Sequence, residues 1–118
     1  MMKTINIRFS ANPKAQITRG LHALTHGERM VGLLKHLGLA DDEAMLIAEC
    51  KQVHTFFMKF PMDAIFIDKG GIVVGIESLK PWRLSKIHWR AASVIETNYG
   101  WAKRHGIAIG STAEVTPC

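Results

Sequence analysis

The feature that most constrains the fold is a pair of apolar segments separated by a short polar turn. Residues 64–67 and 72–76 are apolar throughout, rich in isoleucine and valine, and flank the sequence Asp68-Lys69-Gly70-Gly71. β-Branched and aromatic residues favour strands, and two adjacent glycines supply the positive φ angles of a tight connection. We therefore predict an antiparallel hairpin in which Gly70 and Gly71 are structural residues.

Further strand signals are spread along the chain. Three segments show apolar alternation, a short apolar run or a β-branched end, each typical of a strand: 4–9, 44–48 and 91–97. Residues 15–24 fit a strand and a helix equally, because Gly20 weakens a strand and Leu21 and Leu24 have helical spacing. Residues 107–115 add a final apolar segment.

The clearest helix signal is the capping box Thr25-His26-Gly27-Glu28, where the Thr25 hydroxyl accepts from the third helical N–H and Glu28 reaches back. We predict a helix over His26–Leu37 and one further helical turn over Trp101–His105. Together with about five to seven short strands, this pattern predicts a mainly β domain, α+β at the margin. The expected architecture is a small sandwich or barrel with the capped helix packed on it.

The composition sets broad limits on the class of protein. A chain of 118 residues lies near the commonest domain size, so we expect a single domain over residues 1–118. Its charge of +5 is spread along the chain, which permits nucleic-acid binding without indicating it. The cysteines Cys50 and Cys118 cannot form a disulfide framework, and no stretch resembles a signal peptide or a membrane span. We predict a cytoplasmic protein without a membrane partner; the sequence does not specify an oligomeric state.

The most distinctive segment runs from His54 to Asp63, with the sequence HTFFMKFPMD, and is followed by Phe66 and Asp68. It closely resembles the signature of the prokaryotic "domain of unknown function 192" proteins. The similarity extends over residues 15–116 through other shared positions: Glu28-Arg29, Gly32-Leu33-Leu34, Met45-Leu46, Pro81-Trp82-Arg83, Glu96 and Gly100. The resemblance implies a compact, mainly β domain with short helices, and it implies no established activity.

Cys50 and His54 form the closest cysteine and histidine pair, which suggests a nucleophile and its base. On one face of a helix these two side chains would meet, whereas along a strand they would lie about 13 Å apart. Catalysis therefore needs a turn between them. We favour a small buried cysteine and a hydrogen-bonded histidine, and keep a Cys/His-dependent hydrolase or transferase, with Asp63 or Glu96, as the alternative.

Asp63 follows Pro61, which presets an extended backbone and lacks an N–H, so the chain should kink here or start a strand. We favour a carboxylate that accepts backbone N–H groups and pins this kink. The alternative places Asp63 opposite His54, where it would orient the imidazole. Asp63 and Glu96 do not have a recognised zinc spacing with Cys50 and His54, so we expect neither a metal site nor a cofactor.

Glu96 lies in an apolar strand on the same face as Val94, so its carboxylate should point inward and need a partner. Arg29 and Arg83 are the natural candidates, because a guanidinium satisfies both carboxylate oxygens. We favour a structural ion pair over an arginine that recognises a ligand.

The functional hypothesis is a non-enzymatic binding or accessory domain. Its ligand-binding residues would lie in a cleft beside the distinctive segment: His54, Met58, Asp63, Trp82 and Arg83. A polar cluster among aromatic and methionine side chains suits a small ligand or a protein partner. Binding of nucleic acid to the basic surface ranks below both this hypothesis and the hydrolase.

Overall fold

The computed structural model describes residues 3–23 and 38–117. These residues form seven strands and one short helix in the following order: β1 (Lys3–Phe9), β2 (Asn12–Ala23), β3 (Glu43–Ala48), β4 (Met62–Ile67), β5 (Val73–Leu79), β6 (Ser93–Asn98), α1 (Trp101–Arg104) and β7 (Ala113–Pro117). All seven strands belong to one sheet, in the order β5-β4-β6-β3-β2-β1-β7. The mainly β fold is therefore confirmed, while the predicted helix over His26–Leu37 lies outside the described residues.

The predicted hairpin is formed by β4 and β5, which pair antiparallel with Ile65 opposite Ile76. At the turn, the Asp68 Oδ1 atom accepts the N–H groups of Gly70 and Ile72, each at 2.9 Å. Gly71 has a φ of +84°, whereas Gly70 does not adopt a positive φ. One glycine of the two therefore provides the left-handed conformation, and the aspartate side chain closes the rest of the turn.

The ambiguous segment over residues 15–24 belongs to strand β2, which pairs antiparallel with β1 and parallel with β3. Gly20 lies opposite Ile5, where a Cβ atom would approach the Ile5 carbonyl oxygen to 2.9 Å. The glycine that weakens the strand signal is thus the residue that lets β1 come close. A parallel pair needs a crossover connection, which here joins the end of β2 at Ala23 to the start of β3 at Glu43.

The two edge strands of the open sheet approach each other at one end. Ile72 forms an antiparallel bridge with Thr112. Next to it, the Val73 N–H donates to the Ser111 carbonyl at 2.8 Å, and the Ala113 N–H donates to the Gly71 carbonyl at 2.7 Å. The single sheet therefore curls towards a barrel and does not form the two sheets of a sandwich.

Apolar side chains form one cluster on each face of the sheet, and the second cluster has no member from β1 or β7. On the first face, Trp101 of α1 is fully buried and packs on Phe9 with a ring separation of 5.4 Å. Its indole N–H donates to the Asp41 carbonyl at 2.8 Å. The helical turn predicted over Trp101–His105 is confirmed as α1. On the second face, the segment over residues 50–60 covers the central strands.

A small polar network fixes the end of α1 to the turn before β3. The Asp41 carboxylate accepts a hydrogen bond from Arg104 at 2.8 Å and lies 3.0 Å from the His105 ring nitrogen. The pKa of Asp41 is lowered, mainly by the Arg104 hydrogen bond, and His105 and Asn98 lower it further against an opposing effect of burial.

Candidate functional site

The distinctive segment begins in an irregular two-stranded structure on the surface, which we call the ribbon (residues 51–57 and 82–88). Its two segments run antiparallel. The Thr55 N–H donates to the Arg83 carbonyl at 2.8 Å, the Ser85 N–H to the Val53 carbonyl at 2.9 Å, and the His88 N–H to the Lys51 carbonyl at 2.8 Å. The ribbon therefore brings His54 close to Trp82 and Arg83, three residues that we predicted to share one site.

Thr55 fixes one end of the ribbon and is fully buried. Its hydroxyl donates to the Lys80 carbonyl at 2.6 Å and accepts the Arg83 N–H at 2.8 Å. Its carbonyl accepts the N–H groups of Trp82 at 3.0 Å and Met58 at 3.1 Å. Thr55 is a site residue that was not predicted, although its position between His54 and two phenylalanines is a usable signal.

At this end the ribbon exposes an aromatic patch, defined here as Phe56, Phe57, Trp82 and Leu84. The exposed fractions of Phe57, Trp82 and Leu84 are 63%, 56% and 58%. The Phe57 and Trp82 rings lie 4.8 Å apart, Phe56 lies 6.1 Å from Trp82, and His54 stacks on Phe56 at 4.8 Å. Large aromatic side chains are thus held together at the surface, and burial among the described residues does not account for their exposed area.

The backbone of the patch is strained at two positions. Phe57 has a φ of +67° and Trp82 a φ of +63°. Bulky L-residues rarely adopt this region, because each such residue costs about 1–3 kcal/mol and persists only where the surroundings impose the conformation. The Thr55 hydrogen bonds impose it here, and the result is that both rings face solvent in contact with each other.

His88 anchors the other end of the ribbon to the sheet. Its ring stacks on Phe66 with a centroid separation of 3.9 Å, and its Nε2 atom lies 2.6 Å from a Glu77 carboxylate oxygen. The same oxygen accepts the Lys86 N–H at 3.0 Å. Gly75 leaves the space for this ring, because a Cβ atom there would overlap with it. The ribbon therefore rests on a fixed base.

The five predicted ligand-binding residues do not form one cluster. His54, Trp82 and Arg83 lie on the ribbon, whereas Met58 is buried in the core beneath it. Asp63 lies on β4 and belongs to a different part of the fold. The structure thus brings three of the five residues to one surface.

Asp63 is buried and is directed towards α1. Its Oδ1 atom accepts the Ser78 hydroxyl at 2.7 Å and the Gly100 N–H at 3.0 Å, and its Oδ2 atom accepts the Ala102 N–H at 3.0 Å. The carboxylate therefore accepts backbone N–H groups at the start of the helix, and not at the kink beside the exposed Pro61. It does not orient His54.

The two buried carboxylates lie on opposite faces of the sheet. Glu96 on β6 pairs with Ala64 on β4, so these two residues share a face, and the preceding residue, Asp63, projects to the other face. The predicted partner Arg83 is exposed on the ribbon and is not the partner of the buried Glu96, while Arg29 lies outside the described residues. Asp63 and Glu96 therefore do not form a catalytic pair.

Cys50 is buried, with 3% of the residue exposed, and its thiol donates to the Gln52 carbonyl at 3.1 Å. A buried thiol that donates to a carbonyl is typical of an unreactive structural cysteine.

Within residues 3–23 and 38–117, no three His, Cys, Asp or Glu side chains converge in a way that could hold a metal ion. The described part of the chain also has no helix that is long and apolar enough to cross a membrane.

We expect Cys50 to react slowly with an alkylating reagent in the native protein. In a C118S background, so that one thiol reports, the labelling rate near neutral pH should be at least about tenfold below that of a free thiol and should rise on addition of urea. Mass spectrometry of the labelled protein measures the rate. A native rate above that of a free thiol would contradict the structural role and favour an activated nucleophile.

The fold and the signature segment together define a small, mainly β domain of one known family. The family model described as DUF192, "Uncharacterized ACR", matches residues 7–115. This chain therefore belongs to the DUF192 family. A UPF0127 protein of Pyrococcus abyssi is 36% identical over 62 residues, which are 52% of this chain and 53% of that protein. The match thus spans about half the length of this curated relative.

Two solved structures have the same fold. A protein of unknown function from Novosphingobium aromaticivorans superposes with a TM-score of 0.79 at 22% identity and covers 96% of this chain and 84% of its own. A protein from Sinorhizobium meliloti, described as a candidate transcription regulator, has a TM-score of 0.74 at 25% identity and covers 98% of this chain and 94% of its own. The family is uncharacterised, and these relatives establish the fold without a specific function.

Proposed function

We propose that this chain is a non-enzymatic binding module that holds an acidic, partly apolar segment of a partner protein on the aromatic patch. The observation that carries the proposal is the pair Phe57 and Trp82. Both residues adopt a positive φ, both expose more than half of their surface, and their rings are in contact. Strain that is maintained to present aromatic rings to solvent is typical of a binding surface.

The charge around the patch supports an acidic partner. Residues 50–62 and 79–95 contain no aspartate or glutamate. They contain six lysine and arginine residues: Lys59, Lys80, Arg83 and Lys86, and, towards the other end of the ribbon, Lys51 and Arg90. All six are exposed. A surface with one sign of charge steers a partner of the opposite sign and selects against the same sign.

Binding is better supported than catalysis because the candidate catalytic groups are engaged elsewhere. Asp63 accepts three hydrogen bonds at Ser78 and the start of α1. Cys50 is sealed from solvent, and its thiol donates to a main-chain carbonyl. His54 remains at the surface, where it stacks on Phe56 and extends the aromatic patch.

The test is a selection of short random peptides displayed against the protein, followed by affinity measurements on the selected peptides. We expect enrichment of aspartate and glutamate together with large apolar residues, and binding that weakens as the ionic strength rises. Trp82→Gly should lower the affinity at least about tenfold. Because glycine suits a φ of +63°, this variant should keep or exceed the wild-type stability in urea.

Ile109→Gly is the matched control, because Ile109 is 69% exposed but lies in the connection between α1 and β7 and has no positive φ. Ile109→Gly should leave the peptide affinity unchanged and should not be more stable in urea than the wild-type protein. Two outcomes would overturn the proposal: selected peptides that bind Trp82→Gly as tightly as wild type, or an oligonucleotide such as oligo-dT that binds the patch more tightly than every selected peptide.

A further inference from the structure

A second feature with the properties of a binding site lies beyond the other end of the ribbon, away from the aromatic patch. It is a cavity of about 620 Å³ between the start of the ribbon, the β4–β5 turn and the loop before β6. The side chains that matter for its chemistry are Lys51, Asp68, Lys69, Trp89 and Arg90. Small-molecule sites commonly have volumes of about 300–1,000 Å³, so this cavity can hold a ligand larger than an ion.

Lys51 is fixed at the cavity by its own ammonium group. Its Nζ atom donates to the Trp89 carbonyl at 3.0 Å and to the Ala91 carbonyl at 2.6 Å. Two of the three N–H bonds are thus used by neutral acceptors, and one is left for a further acceptor. The lysine is therefore positioned without being neutralised.

The other two cations of the cavity, Lys69 and Arg90, are likewise not neutralised by an ion pair among the described residues. In the part of the chain that the structure describes, no carboxylate lies within 4.0 Å of the charged groups of Lys51, Lys69 or Arg90. These three cations line one concave surface together with the carboxylates of Glu49 and Asp68, so the three positive and two negative charges leave the lining with a net charge of +1. The cavity therefore attracts an anion.

Trp89 supplies a flat wall. Trp89 is 75% exposed, whereas its carbonyl accepts the Lys51 ammonium group and the neighbouring His88 N–H donates to the Lys51 carbonyl. The backbone that carries the indole ring is therefore fixed, and the described residues leave most of Trp89 open to solvent. The small residues Ala91 and Ala92 line the cavity beside it.

The cavity also offers acceptors. Asp68 uses one carboxylate oxygen, Oδ1, for the Gly70 and Ile72 N–H groups of the turn. Glu49 also lines the cavity, from a backbone φ of +50° that is rare for a residue other than glycine. Carboxylate oxygens are acceptors, so they suit the hydroxyl or amino groups of a ligand.

From these three elements we infer that the cavity binds a small anionic ligand with a planar ring, of the class of nucleoside monophosphates. The phosphate would lie against Lys51, Lys69 and Arg90, the base would stack on Trp89, and Asp68 or Glu49 would accept from the sugar or the base. The site does not share residues with the aromatic patch, so this inference does not depend on the proposed function.

The experiment is an NMR titration with AMP, followed through the indole N–H signals of the three tryptophans. We expect the Trp89 signal to shift with a dissociation constant of about 1 mM or tighter, while the Trp82 and Trp101 signals stay in place. Adenosine and inorganic phosphate should each bind at least about tenfold more weakly than AMP. Adenosine lacks the phosphate that would contact the cations, and inorganic phosphate lacks the base that would stack on Trp89.

Variants on exposed side chains locate the site without affecting the core. Trp89→Ala should weaken AMP binding at least about tenfold and Lys69→Gln several-fold, whereas Lys103→Gln should leave it unchanged. With Trp89→Ala, the amide signals of Gly70 and Ala92 serve as the reporters. Two results would overturn the inference: AMP that leaves the Trp89 signal unchanged, or phosphate alone that binds as tightly as AMP.

Discussion

Replacing Asp63 with alanine is expected to lower the free energy of unfolding by about 3 kcal/mol or more. The carboxylate accepts three hydrogen bonds in a residue that is 1% exposed. The variant would leave the Gly100 and Ala102 N–H groups without their acceptor, at the start of a helix that has no side-chain cap of its own. Urea unfolding followed by circular dichroism measures the change.

Asp68→Ala is the matched control for this prediction. Asp68 also accepts two backbone N–H groups, but it does so in an exposed turn, where water can replace the lost acceptor. Its cost should be about 1 kcal/mol. In Asp63→Ala the indole N–H signal of Trp101 should also shift, because α1 is released. Equal costs for the two variants would show that the Asp63 carboxylate does not hold α1 on the sheet.

The strands could be predicted because their signals are local. The hairpin of β4 and β5 follows from two apolar runs and a glycine-containing turn, and β1 follows from simple alternation. The edges of the sheet could not be predicted in this way. The bridge between Ile72 and Thr112 joins residues far apart in sequence, and no local pattern specifies which edges meet. The segment over residues 15–24 was ambiguous for the same reason, since the close approach of β1 explains Gly20.

The site was harder to predict because neighbours in the signature segment separate in space. Phe57 faces solvent, Met58 enters the core, and Asp63 crosses to the far face of the sheet. Alternation along β4 and the turn after Thr55 impose this separation, so one contiguous motif contributes to a surface, a core and a helix start. The signature is therefore partly a folding signal, and the part that stays at the surface is the short stretch at the ribbon.

The ring contacts of the patch also explain why the number of aromatic residues in the segment did not predict which of them form the surface patch. Phe56 and Phe57 are adjacent in sequence, yet both come within 6.1 Å of Trp82 because the ribbon returns the chain beside them. The positive φ values at Phe57 and Trp82 direct the two rings towards each other. No propensity scale predicts such values for aromatic residues, since the Thr55 hydrogen bonds impose them from outside.

Gly71→Ala is expected to destabilise the protein by about 3 kcal/mol, whereas Gly70→Ala should cost less than about 1 kcal/mol. Gly71 has a φ of +84°, and a Cβ atom there would lie 2.5 Å from the Ala113 carbonyl oxygen. That contact is with backbone, so relief requires the edge strand β7 to move away from β5. At Gly70 the φ is not positive, and the nearest atom to a Cβ would be an Asp68 carboxylate oxygen at 3.5 Å.

The two adjacent glycines thus have different roles, although they form one motif in the sequence. Gly71 provides the positive φ and the close approach to β7, and Gly70 provides neither. Urea unfolding gives the two free energies, and hydrogen exchange at the Val73 and Ala113 amides reports on the bridge between the sheet edges. In Gly71→Ala both amides should exchange faster than in Gly70→Ala, because their acceptors lie across that bridge. If both substitutions cost the same, the turn would tolerate a side chain equally at either position. The contact between the sheet edges would then contribute little to the stability of the fold.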